Sequence, residues 1–233
     1  MTRTSTVVGK ILGLAATLLL IAPSAQAATI YDNTATNRNL IFPVGIYTVG
    51  GQTNISVTEI GDQVTLGGTA RLITDMFVGI SLASSSTNRN ETAKLKIYED
   101  NASGTPTTLL FSSGAQSLSV GFFEYSFQGI GAYLGGSSTV TWMVEFAGVE
   151  TGETAGLAIF GNPTVGQTFD DIWVRAIVSG TPTFELKNLP TAFQPEGFYA
   201  KIIAVPEPST YALLILAGIS LVAFRQVARR RNA

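Results

Sequence analysis

The sequence predicts an all-β protein, an antiparallel β-sandwich between two short hydrophobic end segments, and three observations lead there. Short apolar or alternating stretches recur through the middle of the chain, each bounded by Gly, Pro, Asn, Asp or Ser, the punctuation of strands joined by turns. Between them lies no long stretch with apolar residues at helical spacing, which argues against repeated βαβ units. The third observation is composition: of 233 residues 45% are hydrophobic and 13% charged, with 46 Ser plus Thr, a balance that suits sheet faces and exposed loops. The chain has no Cys and no His, which removes disulfide stapling, imidazole acid-base chemistry, thiol nucleophiles and His/Cys metal centres.

Residues 1–27 have the three parts of an export signal. Arg3 and Lys10 precede or open an apolar run over residues 11–22, and Pro23 leads into the small-residue pattern Ala25-Gln26-Ala27, so cleavage is expected after Ala27. The run is shorter than the roughly 20 residues of a comfortable span, which favours a removable signal helix over an anchor.

Residues 28–204 read as one exported domain, long enough to bury a substantial core without cysteines. Strands are expected over residues 29–31, 41–47, 54–60, 71–82, 94–99, 107–111, 116–120, 122–127, 140–146, 157–160, 172–178 and 199–205. Within 71–82 the parity of the apolar positions changes near residues 75–77, which a bulge or bend repairs. Residues 94–99 alternate cleanly, with Leu95 and Ile97 on one face, and residues 100–106 read as the hairpin loop to 107–111. A jelly-roll topology is compatible with this pattern, although periodicity does not write strand order. The domain carries 15 acidic and 8 basic side chains, a net of −7, which argues against a nucleic-acid partner.

The segment 205–233 is a distinct tail. Val205-Pro206-Glu207-Pro208-Ser209-Thr210 precedes an apolar stretch over 211–224, then Arg225 and the cluster Arg229, Arg230 and Arg231. The prolines interrupt helix and sheet at the junction. As a helix the apolar stretch is about 21 Å long, short for a bilayer core, and it is expected to serve as a transmembrane helix and temporary anchor with help from flanking residues. The arginines would keep the tail's end cytoplasmic and the large domain outside.

Pro206, Glu207 and Pro208, the hydrophobic helix behind them and the terminal arginines together resemble the PEP-CTERM sorting signal of Gram-negative bacteria. The resemblance covers about residues 205–231. It implies recognition and tail removal by the membrane protease exosortase, with Pro206, Glu207 and Pro208 as the recognised residues. It also implies an inner-membrane intermediate, delivery to the cell surface or extracellular matrix, and a setting of exopolysaccharide production. The start of the domain, Thr29-Ile30-Tyr31-Asp32-Asn33, resembles the opening of "choice-of-anchor" domains, and a strand followed by an Asx turn accounts for the same residues.

Carboxylates are the catalytic candidates that remain. Asp170 and Asp171 precede an apolar strand and are candidates for calcium, but calcium takes six to eight oxygen ligands and adjacent strand residues point to opposite faces. Solvated turn aspartates are the stronger reading of the same two residues. Glu145 paired with Glu124 or Glu150 would make a glycosidase only if the carboxyls stood about 5 to 9.5 Å apart across a glycosidic bond. Trp142 and Trp173, with Tyr98, Tyr125 and Tyr133, would form a sugar-stacking surface if exposed, and core packing on strands is the other reading. The sequence therefore points to a non-enzymatic exported protein without an obligatory cofactor, adhesive or structural in a biofilm matrix. A carbohydrate-binding module is the alternative and a carboxylate hydrolase a distant third. Its expected partners are the export machinery, exosortase, and a matrix polysaccharide or surface protein.

Overall fold

The computed structural model describes residues 26–49, 51–84, 89–169, 171–188, 196–206, 218 and 220. Among the described residues sixteen strands form two antiparallel sheets, as expected of a sandwich. The first sheet holds β1 (Ala28–Asp32), β2 (Asn37–Pro43), β5 (Leu72–Ala83), β9 (Gly121–Tyr133), β11 (Thr154–Phe160), β15 (Gly197–Phe198) and β16 (Ala200–Val205). The second holds β3 (Gly45–Val49), β4 (Gln52–Thr65), β6 (Thr92–Asp100), β7 (Pro106–Ser112), β8 (Gln116–Ser117), β10 (Thr139–Ala147), β12 (Gln167–Thr168), β13 (Asp171–Val178) and β14 (Thr181–Asn188). The main paths run β1-β16-β5-β11-β15 and β14-β13-β4-β10-β6-β7. Ala27–Val205 form one unit.

Alternation decides what each sheet buries. Along β10, Val140, Trp142, Val144 and Phe146 enter the core, and along β6 Leu95 and Ile97 meet them. Each fully buried side chain of this size stabilises the fold by about 1.5–3 kcal/mol. The parity change in the fifth strand is resolved by a bulge at Thr74. Ile73 faces the core, and the next inward residue is Met76, followed by Val78, Ile80 and Leu82. Against β16, Asp75 pairs with Ile203 and Ile73 with Ala204, so Thr74 is the extra residue, and its hydroxyl donates to the Ile203 carbonyl at 3.3 Å. On the other side, Gly129, Ile130 and Gly131 of β9 stand opposite that single residue. Gly129 and Gly131 have φ of 65° and 66°, a region that disfavours residues with a Cβ.

Three expectations need correction. Residues 41–47 are not one strand: β2 ends at Pro43 in the first sheet and β3 starts at Gly45 in the second. Proline lacks the donor a ladder needs, and the Val44 N–H, donating to the Ala155 carbonyl at 2.9 Å, holds the corner where the chain changes sheet. The strand expected at 116–120 stops at Ser117, after which the Leu118 N–H donates to the Glu91 carbonyl and the Ser119 N–H to the Tyr125 hydroxyl. Finally, β14 was not anticipated, because Pro182 stands near its start, a position that an edge strand tolerates.

The last strand enters the first sheet where β5 and β11 part. Leu157 of β11 pairs with Ile80 of β5, but farther along β11 pairs with β15 and β5 with β16. Tyr199, between β15 and β16, closes the fork: its N–H donates to the Ala158 carbonyl at 2.9 Å and its carbonyl accepts from the Gly79 N–H at 3.1 Å.

Candidate functional site

The tail leaves from a strand built into the sheet rather than laid on its edge. Ala200, Ile202 and Ala204 are fully buried, and β16 lies between β1 and β5. Val205 still pairs with Leu72, and the exposed Pro206, with no N–H to donate, follows at once. Ala28 pairs with Ala204, so the strand after the expected signal cleavage site and the strand before the sorting residues are neighbours. Ala27 is exposed. Ala25, Glu207, Pro208, Arg225, Arg229, Arg230 and Arg231 lie outside the described residues, as do the expected signal helix and most of the expected tail helix. Gly218 and Ser220 are helical. Among the described residues no helix is long and apolar enough to cross a membrane.

The two tryptophans expected to touch sugar are enclosed, whereas Tyr133, expected beside them, is 50% exposed. Trp142 has no exposure and packs T-shaped on Phe198 at 6.1 Å, so its ring faces the core and not a ligand. Trp173 is 7% exposed and clusters with Tyr98, Met143 and Phe184 on the outside of the second sheet. For these two tryptophans the carbohydrate-contact expectation gives way to core packing, because alternation alone does not tell which sheet face is covered. Asp171 is half-buried and opens β13 opposite Asn188, while Asp170 lies outside the described residues. Among the described residues no group of three or more acidic side chains gathers to hold a metal ion. The three glutamates considered for hydrolysis are not brought together. Glu145 pairs with Lys96 at 3.3 Å on the second sheet, Glu124 lies on the first, and the Glu150 N–H donates to the Glu153 carboxylate at 2.8 Å in the turn after β10.

Among the described residues four acidic side chains are buried, Glu59, Asp62, Glu91 and Glu196, and the first two are held in defined polar contacts. Glu59 is 1% exposed and accepts from Lys96 Nζ at 2.7 Å, Arg175 Nη1 at 2.9 Å and the Tyr98 hydroxyl at 2.5 Å. Such a carboxylate is held by two cations and a donor rather than left free for proton transfer. Arg175 also lies over the Phe184 ring, 5.6 Å from its centre. Asp62, fully buried, sits directly across from Trp142 and accepts from the Thr168 hydroxyl at 2.8 Å. Burial pushes its carboxyl well above the ordinary range, against the pull of the Thr168 hydrogen bond. Gly197 passes so close that a Cβ there would stand 2.7 Å from Asp62 Oδ2. Thr168 separates Asp62 from a surface cavity of about 290 Å³ lined by Asn162, Pro163, Gly166, Gln167 and Thr168.

An aromatic group that the sequence reading did not assemble lies on the outer face of the first sheet. Phe160 and Tyr199 pack edge to face at 4.8 Å, Phe122 meets Tyr199 at 5.8 Å, and Phe122 stacks over Phe160 at 6.3 Å. Phe160 is buried beneath, whereas Phe122 remains 44% exposed. Gly79 makes the seat: a Cβ there would stand 2.7 Å from Tyr199 Cβ and 2.8 Å from the Phe122 ring. The Tyr199 hydroxyl donates to Glu124, which neighbours Gly79 across the β5–β9 ladder. Burial first, then the hydrogen bond to Glu124 and the charge of that carboxylate, push the hydroxyl well above the usual tyrosine range. The result is one exposed ring, Phe122, seated on Tyr199 and Phe160, with the Glu124 carboxylate beside it on the same strand.

Residues 204–232 match the PEP-CTERM protein-sorting motif, beginning inside β16 and running through the tail. The match supports an exported chain that exosortase processes and routes to the cell surface. No curated protein matches the chain.

Proposed function

We propose that this chain is delivered to the cell surface or extracellular matrix by removal of both ends, and that its sandwich works there without catalysis, as an adhesive or scaffolding element. The observation that carries the reading is the position of the sorting motif: it takes over at Ala204, and among the described residues every pairing of the sandwich is complete by Val205. A tail removed beyond that point takes no strand with it. The non-catalytic part is supported by the fate of the carboxylates, since Glu59 is neutralised by its partners and Asp62 is enclosed. A surface protein or polysaccharide of the matrix is the partner this reading implies.

Replacing Pro206 and Pro208 together by alanine tests the sorting step. The variant should be exported and keep its tail, accumulating in the membrane fraction as the longer form. Maturation at the wild-type rate would remove the motif from the account.

A further inference from the structure

We infer that the Phe122–Tyr199–Glu124 surface is a binding site for a neutral polysaccharide. A sheet face turned to water is ordinarily polar, and covering the fork between β5 and β11 requires only Phe160 and Tyr199, whose rings already pack at 4.8 Å. Phe122 adds a third ring from the edge strand and leaves 44% of itself exposed. Glu124 stands beside it on the same strand, and the Tyr199 hydroxyl fixes its carboxylate.

A pyranose ring complements both features. Its axial C–H groups make an apolar face that stacks on an aromatic ring, and its hydroxyls donate to a carboxylate that retains lone pairs after accepting one tyrosine. The domain's net charge of −7 opposes a polyanion such as a polyuronate, so the fitting polymer is neutral. A ring left 44% exposed on a sheet face suits the flank of a polymer chain better than a small molecule, which needs enclosure to bind. The inference rests on delivery of the domain to the cell surface. Its test reads binding by purified protein, so a failure here leaves the sorting reading standing.

Native gels cast with dextran, laminarin or galactomannan, run beside gels cast with alginate, measure the binding directly. The full chain is used, in a detergent without a sugar head group. Retardation is expected in at least one neutral gel and not in alginate. Phe122→Ala and Glu124→Gln should each weaken it by about tenfold, a typical loss for a central contact. Phe122→Trp should restore it, and Glu124→Gln preserves an acceptor for Tyr199, so neither result reduces to misfolding. Unchanged mobility in all three neutral gels, retardation that survives either loss variant, or stronger retardation in alginate would overturn the inference. So would conversion of a dimer to a monomer by Phe122→Ala, since a second copy would then be what covers the ring.

Discussion

Ala28 and Ala204 face one another across the β1–β16 ladder, which makes the first strand of the exported domain and the last strand before the sorting residues a single structural unit. Among the described residues β16 is the only strand with which β1 forms a ladder. The ladder of β1 is therefore complete only when residues 201–204 are in place, and β16 makes its last pair, Val205 with Leu72, where the sorting motif takes over.

That dependence makes Ile202 a sensitive position. Fully buried in β16, it should cost about 2–5 kcal/mol when replaced by alanine. Urea unfolding checks the magnitude, and limited proteolysis should show cleavage near residue 32 before cleavage elsewhere. A variant with wild-type stability would contradict the central role of this strand.

Asp62 gives the stability a pH dependence of defined sign. Its folded-state carboxyl is raised by burial, so the contribution is intact below the unfolded carboxyl range near about pH 4 and is lost as pH rises. Within that window each pH unit costs about 1.4 kcal/mol until the folded group itself ionises. Asp62→Asn keeps an acceptor for Thr168 and removes the titration. Its stability should be flatter with pH and exceed that of the wild type at neutral pH, as denaturant midpoints across a pH series would show.

The Glu59 network should respond in the opposite way to loss of its charge. Glu59→Gln leaves Lys96 and Arg175, 12% and 25% exposed at their side chains, without the carboxylate between them. A loss of about 3 kcal/mol is expected, less than for wholly enclosed cations because both reach water. Chemical denaturation measures it, and a change below about 0.5 kcal/mol would mark the pair as an ordinary surface contact.

Gly79 should tolerate no side chain while Tyr199 is present. Gly79→Ala is expected to cost about 1–3 kcal/mol by forcing Tyr199 and Phe122 off their positions. In a Tyr199→Ala background the same change should cost much less, so the double-mutant cycle reports coupling. Additive losses would place the strain elsewhere.

Much of this fold is legible locally. The alternation of Leu95 and Ile97 marked β6, and the broken parity of the fifth strand located the bulge that Thr74 occupies. Legibility fails where an apolar run turns a corner, as at Pro43, and where an edge strand accepts a residue that a central strand would reject, as β14 accepts Pro182. The sites are harder still. Phe122, Phe160 and Tyr199 come from three separate strand regions that only the fork between β5 and β11 brings together, and Glu59, Lys96 and Arg175 meet only through the order β13-β4-β10-β6. No spacing rule joins such residues. The tail is the reverse case, because a sorting signal is read by its linear order and its order is all that is needed.

The central claim is two-ended processing of an exported sandwich, and intact-mass spectrometry of the protein from membrane and extracellular fractions of its native host tests it most directly. The account predicts an extracellular species that lacks residues 1–27 and the segment 211–233 and still contains Val205, the end of the last ladder. An extracellular or surface species that retains residues 211–233 would contradict it.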